Sequence, residues 1–301
     1  MELTLNIAVS FNKKYVKYAV VMLTSFCENN PGEHSIFILH EELEKEDFDI
    51  IRTSLEHYGT EIIPICVSDD VKNLKLPTTS DWSNEIYFRL LLAEKLPKKT
   101  DRIFYFDVDT IIHGSLAKLY NSDFQGADLI AAIDSNNTGN WNSYSPKVQS
   151  MLRGLYQDKF LYFNSGVLLM NISQMRDKYS FSYYLKAMEE WNYEMTAPDQ
   201  DILNYVHACK VKYMPWEEYD LFAKIAYNNG WTYNDVKEKN KILHFAGAKP
   251  WKFDSTRYEL EKFWWEYAAK TPVYKKLREE YLSDAMNNPK LENEIQRLLF
   301  F

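Results

Sequence analysis

Four short stretches of this 301-residue chain combine residue types and spacings that can do chemistry. The sharpest is Phe104-Tyr105-Phe106-Asp107-Val108-Asp109, an apolar run that ends in two carboxylates two positions apart. In extended chain, positions i and i+2 point the same way, so Asp107 and Asp109 can aim at one point beyond a strand end. Two like charges that close repel and call for a cation. A hard divalent metal suits carboxylate oxygens, and a metal-bound phosphate is its natural load.

The same six residues admit two other readings. One is a solvated, Asp-rich turn. The other is the opening of a haloacid-dehalogenase-type phosphatase, whose first Asp is a nucleophile and whose second is an acid/base. That motif usually lies near the start of its domain and continues Asp-Gly-Thr. Here it is mid-chain and continues Asp-Thr-Ile.

The second stretch is Lys241–Trp251, KILHFAGAKPW. A strand-end His244 can complete a metal site, and an imidazole ligand favours Mn²⁺ over Mg²⁺. Gly247 lets backbone approach a ligand closely, and Lys249 can neutralise a phosphate. A lone His is more often a satisfied structural residue, so this segment gains force only beside the paired aspartates. The third is Pro198-Asp199-Gln200-Asp201. It reads as a capped helix start, with Asp199 as N-cap, and equally as a cluster of acceptors for sugar hydroxyls beside a reacting carbon. A fourth segment, Phe163–Asn171, looks like a buried strand with Asn164 and Gly166 near its start.

Positioning these groups falls to an alternation of short apolar runs and amphipathic stretches. Strands are predicted at Leu3–Ser10, Ser35–His40, Glu61–Val67, Arg102–Phe106 and Leu129–Ile133. Helices are predicted at Tyr15–Asn29, Glu44–Tyr58 (stopped by Gly59) and Ser83–Leu96 (ended by Pro97). The second half is less regular, with strands at Tyr162–Asn171 and Lys241–Ala246 and a helix at Asp199–Cys209. From Ser255 onward the pattern is helical and aromatic-rich, ending in LLFF. Such a tail can dock a partner or touch a membrane, but more often packs back on its own domain. The β-α-β rhythm implies an α/β fold with a mostly parallel sheet and helices on both faces. Ligands in such sheets bind beyond the carboxyl ends of the strands, where Asp107 and Asp109 lie.

Composition narrows the partners. Net charge is −8, which argues against nucleic acid and against simple electrostatic docking on anionic lipid. Aromatics make up 16%, enough for stacking platforms, although most will be ordinary packing. The three cysteines, Cys27, Cys66 and Cys209, are scattered, which fits a reduced, cytoplasmic compartment. Neither a signal peptide nor a membrane-spanning run is read, so a soluble or at most peripheral protein is expected.

Taken in order, the N-terminal strand, YFRLLLAEKLP, YFDVDT, AAID, FNSGVLLMN, PDQDILN and HFAGAKPW resemble glycosyltransferase family 8, from Leu3 to Trp251. This is the family of bacterial lipopolysaccharide galactosyl- and glucosyltransferases and of glycogenin. The resemblance implies the GT-A fold over 1–254, with 255–301 as a helical extension packed on it. It implies a UDP-sugar donor and a retained anomeric configuration. It implies a metal, Mn²⁺ or Mg²⁺, on Asp107, Asp109 and His244. The donor site it implies takes in Ser10, Asn12, Tyr15, Arg89, Val108, Asn164, Ser165, Gly247 and Lys249. It matches Asp199, Gln200 and Asp201 to the family's catalytic DQD, with Gln200 under the anomeric carbon and Asp201 the chemically better but more distant nucleophile, and it turns Asp134 toward a saccharide or glycolipid acceptor. The uridine end departs from the family, because Ser10-Phe11-Asn12-Lys13-Lys14-Tyr15 stands where relatives carry an acidic or amide cluster. Asn12 can still bond a uracil edge, and Tyr15 can stack on it. A sugar-nucleotide-binding protein without transfer activity is the non-enzyme alternative.

Overall fold

The computed structural model describes residues 4–78, 83–135, 142, 144–157, 159–253 and 259–288. Ten strands occur among them: β1 Asn6–Ser10, β2 Ser35–His40, β3 Glu61–Cys66, β4 Ile103–Phe106, β5 Thr110–Ile112, β6 Leu129–Ile133, β7 Phe163–Met170, β8 Val211–Met214, β9 Leu221–Phe222 and β10 Ile242–His244. Seven of them form the central sheet in the order β3-β2-β1-β4-β7-β6-β8. Only β7 runs against its neighbours, pairing antiparallel with both β4 and β6, so the sheet is mostly parallel as expected.

Period-two alternation gives the sheet two apolar faces. Ile7, Val9, Ile36, Ile38, Phe104, Phe106, Val167 and Leu169 point to one side, where they meet the helices Val16–Asn29 and Lys45–Leu55. Ala8, Phe37, Leu39, Ile103, Tyr105, Leu168 and Met170 point to the other, against Phe181–Glu190 and Pro198–Val206. The architecture is therefore the expected α/β sheet with helices on both faces.

A second sheet, β5-β10-β9, lies alongside. β10 is antiparallel to β5 and parallel to β9, with His244 opposite Thr110 and beside Phe222. Its Ile111, Leu221 and Leu243 share an apolar cluster with Val21 of the first helix and with Phe263, Trp264 and Leu277 from two late helices, Glu261–Ala268 and Tyr274–Met286. These two helices therefore pack against β10, the strand that carries His244. The domain boundary at 254/255 and the LLFF terminus lie outside the described residues.

Two local expectations change. The segment Ser83–Leu96 is largely a 3-10 helix, Asn84–Leu91, followed by one α turn, Leu92–Lys95. The helix at the third motif begins at Pro198, with Ala197 rather than Asp199 at the N-cap. Asp201 instead reaches back, accepting from the backbone N–H groups of Thr196 and Ala197 at 2.7 and 3.0 Å. Pro198 suits the first helical turn because its missing N–H would have had no partner there.

Candidate active site

Asp107 and Asp109 sit just past β4, but an extended chain is not what brings them together. Residues 107–110 form a turn, closed by Thr110 N donating to the Asp107 carbonyl at 3.2 Å, and β5 begins inside it. The antiparallel β5–β10 pairing then carries His244 to the same place. Phe245 N donates to the Asp109 carbonyl at 2.8 Å, which fixes the register one residue beyond His244. One ligand atom from each of Asp107, Asp109 and His244 lies within 4.8 Å of the others. His244 Nε2 is 3.3 Å from Asp109 Oδ1, and Lys249 Nζ is paired with Asp109 Oδ2.

The charges here are strongly coupled. Burial alone would raise the Asp109 carboxyl, but Lys249 and His244 outweigh it and hold it well below the usual range. Burial would likewise lower His244, yet Asp109 and Asp220 lift it to about 10. A cation entering between the carboxylates displaces such a proton, because an imidazole ligates only when its nitrogen is free. Two carboxylate oxygens and one imidazole nitrogen are a donor set for a borderline-hard divalent ion such as Mn²⁺, and the residues fit one. Asp220 was not anticipated. Its Oδ1 accepts from His244 Nδ1 at 2.8 Å from a fully buried position.

The other motif residues form a second buried network. Arg89, 3% exposed, donates to Asp107 Oδ1 at 2.7 Å and to the Ser165 carbonyl at 2.5 Å, and its Nε lies 3.2 Å from Asp199 Oδ2. Its guanidinium also stacks over the Tyr105 ring at 4.2 Å. Tyr105 Oη in turn bridges Ser10 Oγ and Asp107 Oδ1, at 2.7 and 3.2 Å. Burial raises the Asp199 carboxyl, with Arg89 pulling against it. Removing one partner of such a buried pair typically costs about 3–5 kcal/mol.

The helix Pro198–Val206 is clamped to β7 by Asn204, whose side chain accepts from Phe163 N and donates to the Phe163 carbonyl, both at 2.8 Å. That clamp sets Gln200 opposite the start of β7. Gln200 Oε1 accepts from Asn164 Nδ2 at 3.0 Å and Ser165 N at 2.9 Å, while its Nε2 donates to Asp134 Oδ2 at 3.0 Å.

These groups line one cleft of about 580 Å³. Of the residues proposed from sequence, Ser10, Asn12, Tyr15, Arg89, Asp107, Val108, Asp109, Asp134, Asn164, Ser165, Asp199, Gln200, His244, Gly247 and Lys249 all face it. Asp201 does not line it. It is fully buried, with Oδ1 accepting from Tyr162 Oη at 2.5 Å and Oδ2 holding the two backbone N–H groups. Burial raises its carboxyl to about 6. The structure thus does not bring Asp201 into the cleft with Asp199 and Gln200, but anchors its carboxylate behind the helix start. At the far end of the cleft Asn12 caps the short turn Lys13–Tyr15. Tyr15 meets Tyr18 and Trp251 edge-on, at centroid separations of 5.6 and 6.3 Å.

The model of glycosyl transferase family 8 matches residues 6–255. The chain belongs to glycosyltransferase family 8. A Haemophilus influenzae protein named for glycosyl transfer is 30% identical over 213 residues, 70% of this chain and 62% of its own length, so this chain matches less than two thirds of that relative. The lipopolysaccharide glucosyltransferase WaaO of Escherichia coli is 26% identical over 83% of this chain and 73% of its own. The galactosyltransferase LgtC, solved in complex with donor and acceptor sugar analogues, superposes with a TM-score of 0.73 at 23% identity, covering 92% of this chain and 100% of that one. Family membership removes the phosphatase reading of the paired aspartates. Among the described residues, no helix is long and apolar enough to cross a membrane.

Proposed function

We propose that this family 8 member is a retaining hexosyltransferase that moves galactose or glucose from a UDP-sugar to a hydroxyl of a saccharide or glycolipid. The observation that carries the proposal is the meeting of Asp107, Asp109 and His244 on the cleft that also holds Lys249, Asn164 and Gln200. The names of relatives such as WaaO favour a lipopolysaccharide-type acceptor. We place the reaction in the cytoplasm, with at most peripheral contact at the inner face of a membrane.

Mn²⁺, or Mg²⁺, held by Asp107, Asp109 and His244 supplies electrostatic neutralisation for the donor's two phosphates. The remaining work belongs to the chain's own side chains. Asn12 and Tyr15 receive the uracil end, and Gly247, at φ 95°, turns the backbone beside the diphosphate. Asp199 and Asn164 accept from and donate to sugar hydroxyls. Arg89 acts through Asp199 and Asp107, holding both carboxylates in place. As the C1–O bond to the β-phosphate breaks, charge grows on that oxygen, and Lys249 stabilises it by a preorganised interaction. The acceptor oxygen bonds to C1 on the same face, and its proton passes to the leaving phosphate oxygen. This route needs no protein nucleophile, and Asp201's position off the cleft supports it. Gln200 is an amide and a poor nucleophile, but its carbonyl oxygen can stabilise the electron-poor ring centre. Asp134, tied to Gln200, faces the acceptor.

The test is UDP release from UDP-glucose and UDP-galactose with Mn²⁺, Mg²⁺ or EDTA, followed by a screen of sugar acceptors. Metal-dependent UDP release supports transfer. Binding without release would make the chain a sensor, and phosphate released from phosphomonoesters would return the phosphatase.

A further inference from the structure

We propose that Asp220 is the positioning residue for the metal-ligating imidazole, setting which nitrogen of His244 faces the cation. The inference rests on the transferase reading above and goes beyond it by assigning a role to a residue that the motifs do not contain.

His244 is fixed on three sides. On the first, Asp220 Oδ1 accepts from Nδ1 at 2.8 Å. The parallel β9–β10 register makes that contact, pairing His244 with Phe222 and so putting residue 220 at the entry to β9. On the second, the Phe222 ring meets the imidazole edge-on at 4.9 Å between centroids. On the third, Gly166 comes so close that an added Cβ would lie 2.5 Å from His244 Cε1. What remains open is Nε2, 3.3 Å from Asp109 Oδ1. With Nδ1–H committed to a carboxylate, the neutral ring has one tautomer, and its lone pair sits on Nε2, toward the metal side.

A buried Asp–His pair can also be a plain structural tie between β9 and β10. The geometry of Asp220 says more. Its carboxylate is fully buried, and Oδ2 has no hydrogen-bond partner among the described residues. A carboxylate placed only for stability gains little from burial with one oxygen unbonded, since an unsatisfied buried acceptor costs about 1–3 kcal/mol. Orientation and basicity of a metal ligand are functions that can retain it.

The experiment titrates the full chain with Mn²⁺ alone and again with UDP present, following free Mn²⁺ by electron paramagnetic resonance. Wild type is compared with Asp220→Asn, and thermal unfolding is recorded for both. Second-sphere partners of ligating histidines are typically worth about 10- to 100-fold in metal affinity. A loss of that size is expected in Asp220→Asn, with turnover largely restored at saturating Mn²⁺. Mn²⁺ affinity equal to wild type, even with a lowered melting temperature, leaves only the structural tie and overturns the proposal. Wild type that binds no Mn²⁺ under either condition fails the metal reading itself, a separate outcome. A readout on wild type alone guards against a variant that does not fold. With isotopically labelled histidine and NMR-active cadmium as a diamagnetic stand-in for Mn²⁺, direct metal–nitrogen coupling is expected on Nε2 of His244, with the proton kept on Nδ1. Coupling on Nδ1 refutes the assignment.

Discussion

Gly166→Ala tests the metal site through space rather than through charge. Gly166 lies on β7 where its carbonyl accepts from Asp107 N at 2.8 Å and its own N–H donates to Asn164 Oδ1 at 2.8 Å. A methyl carbon there would stand 2.5 Å from His244 Cε1, 2.7 Å from Asp107 Oδ2 and 3.0 Å from Asn164 Oδ1. Two of these neighbours are tied from behind, His244 by Asp220 and Asp107 by Arg89, and Asn164 donates to Gln200. One extra carbon in a packed site costs about 1–3 kcal/mol. The strain has two outlets. Either the ties hold and the folded state loses that much stability, or they yield and His244 and Asp107 are pushed apart.

The second outlet spends the strain on the site itself. At about 1.4 kcal/mol per factor of ten, 1–3 kcal/mol is roughly a 5- to 150-fold loss in Mn²⁺ affinity. The assay is Mn²⁺-dependent UDP release over a metal titration, run beside thermal unfolding of the same preparations. We expect a higher Mn²⁺ requirement, a lower melting temperature, or both, with the combined free energy in that range. Unchanged metal dependence and unchanged melting would mean that Asp107, His244 and Gly166 are not crowded together, and the site as described would be wrong.

Three further outcomes follow. Asp109→Ala removes the carboxylate that faces both His244 and Lys249, and should abolish Mn²⁺-dependent hydrolysis of the UDP-sugar; turnover equal to wild type discards the metal assignment. Asp201→Asn should lower stability by about 1–3 kcal/mol, read by denaturant unfolding, because the amide cannot accept from Tyr162, Thr196 and Ala197 as the carboxylate does. Turnover per folded molecule should stay within about tenfold, whereas its loss at unchanged stability would restore Asp201 as a nucleophile. The third concerns Asp128. Burial pushes its carboxyl up, but hydrogen bonds from His207, Gln174 and Tyr179 prevail and bring it from 3.8 down to about 2. An acid depressed in the folded state stabilises above its unfolded value and loses that contribution as pH falls through the folded one. Melting temperature should therefore drop between about pH 4 and pH 2 more steeply in wild type than in Asp128→Asn, and parallel curves would contradict it.

What the sequence showed, and what it hid, divides by range of interaction. Apolar runs such as Ile36–Leu39 and Phe104–Phe106 declare themselves because a strand buried on both faces needs continuous hydrophobicity. β5 and β9, of three and two residues, are too short for any period to register. β8, Val211–Met214, sets Lys212 and Tyr213 side by side between two apolar residues and is half-buried at the sheet edge, so no clean period shows. The run YFRLLLAEK has helical spacing, yet its first two turns wind as 3-10. Nothing local signals that choice. In the site, the residues beyond strand ends were legible from type and spacing. Their buried supports were not: Tyr105 and Asn204 lie inside the YFDVDT and PDQDILN motifs, but nothing local marks their ties to Ser10, Asp107 and Phe163, and Asp220 stands outside every motif. Asp220 just before an apolar Leu-Phe-Ala is the nearest thing to a signal, being a carboxylate at a strand boundary like Asp107.

The division of labour between the two sheets explains why the supports had to lie so far away. The seven-stranded sheet delivers Asp107, and through β7 delivers Asn164 and Ser165, but none of its strands reaches the other side of the cleft. That side belongs to β10, which is anchored to β5 by register and to the late helices by the cluster around Trp264. Asp109 stands at the join, its carbonyl bonded to Phe245 N and its carboxylate facing His244 and Lys249. Shifting β10 by one residue against β5 would turn His244 to the opposite face, away from Asp109. The aromatic packing of Phe263 and Trp264 beneath β10 thus holds the register on which the metal ligands depend. The helices Glu261–Ala268 and Tyr274–Met286 thereby brace the motif that carries His244, with Trp264 against Trp251 at 5.5 Å between centroids and Trp265 Nε1 donating to the Pro250 carbonyl at 3.1 Å.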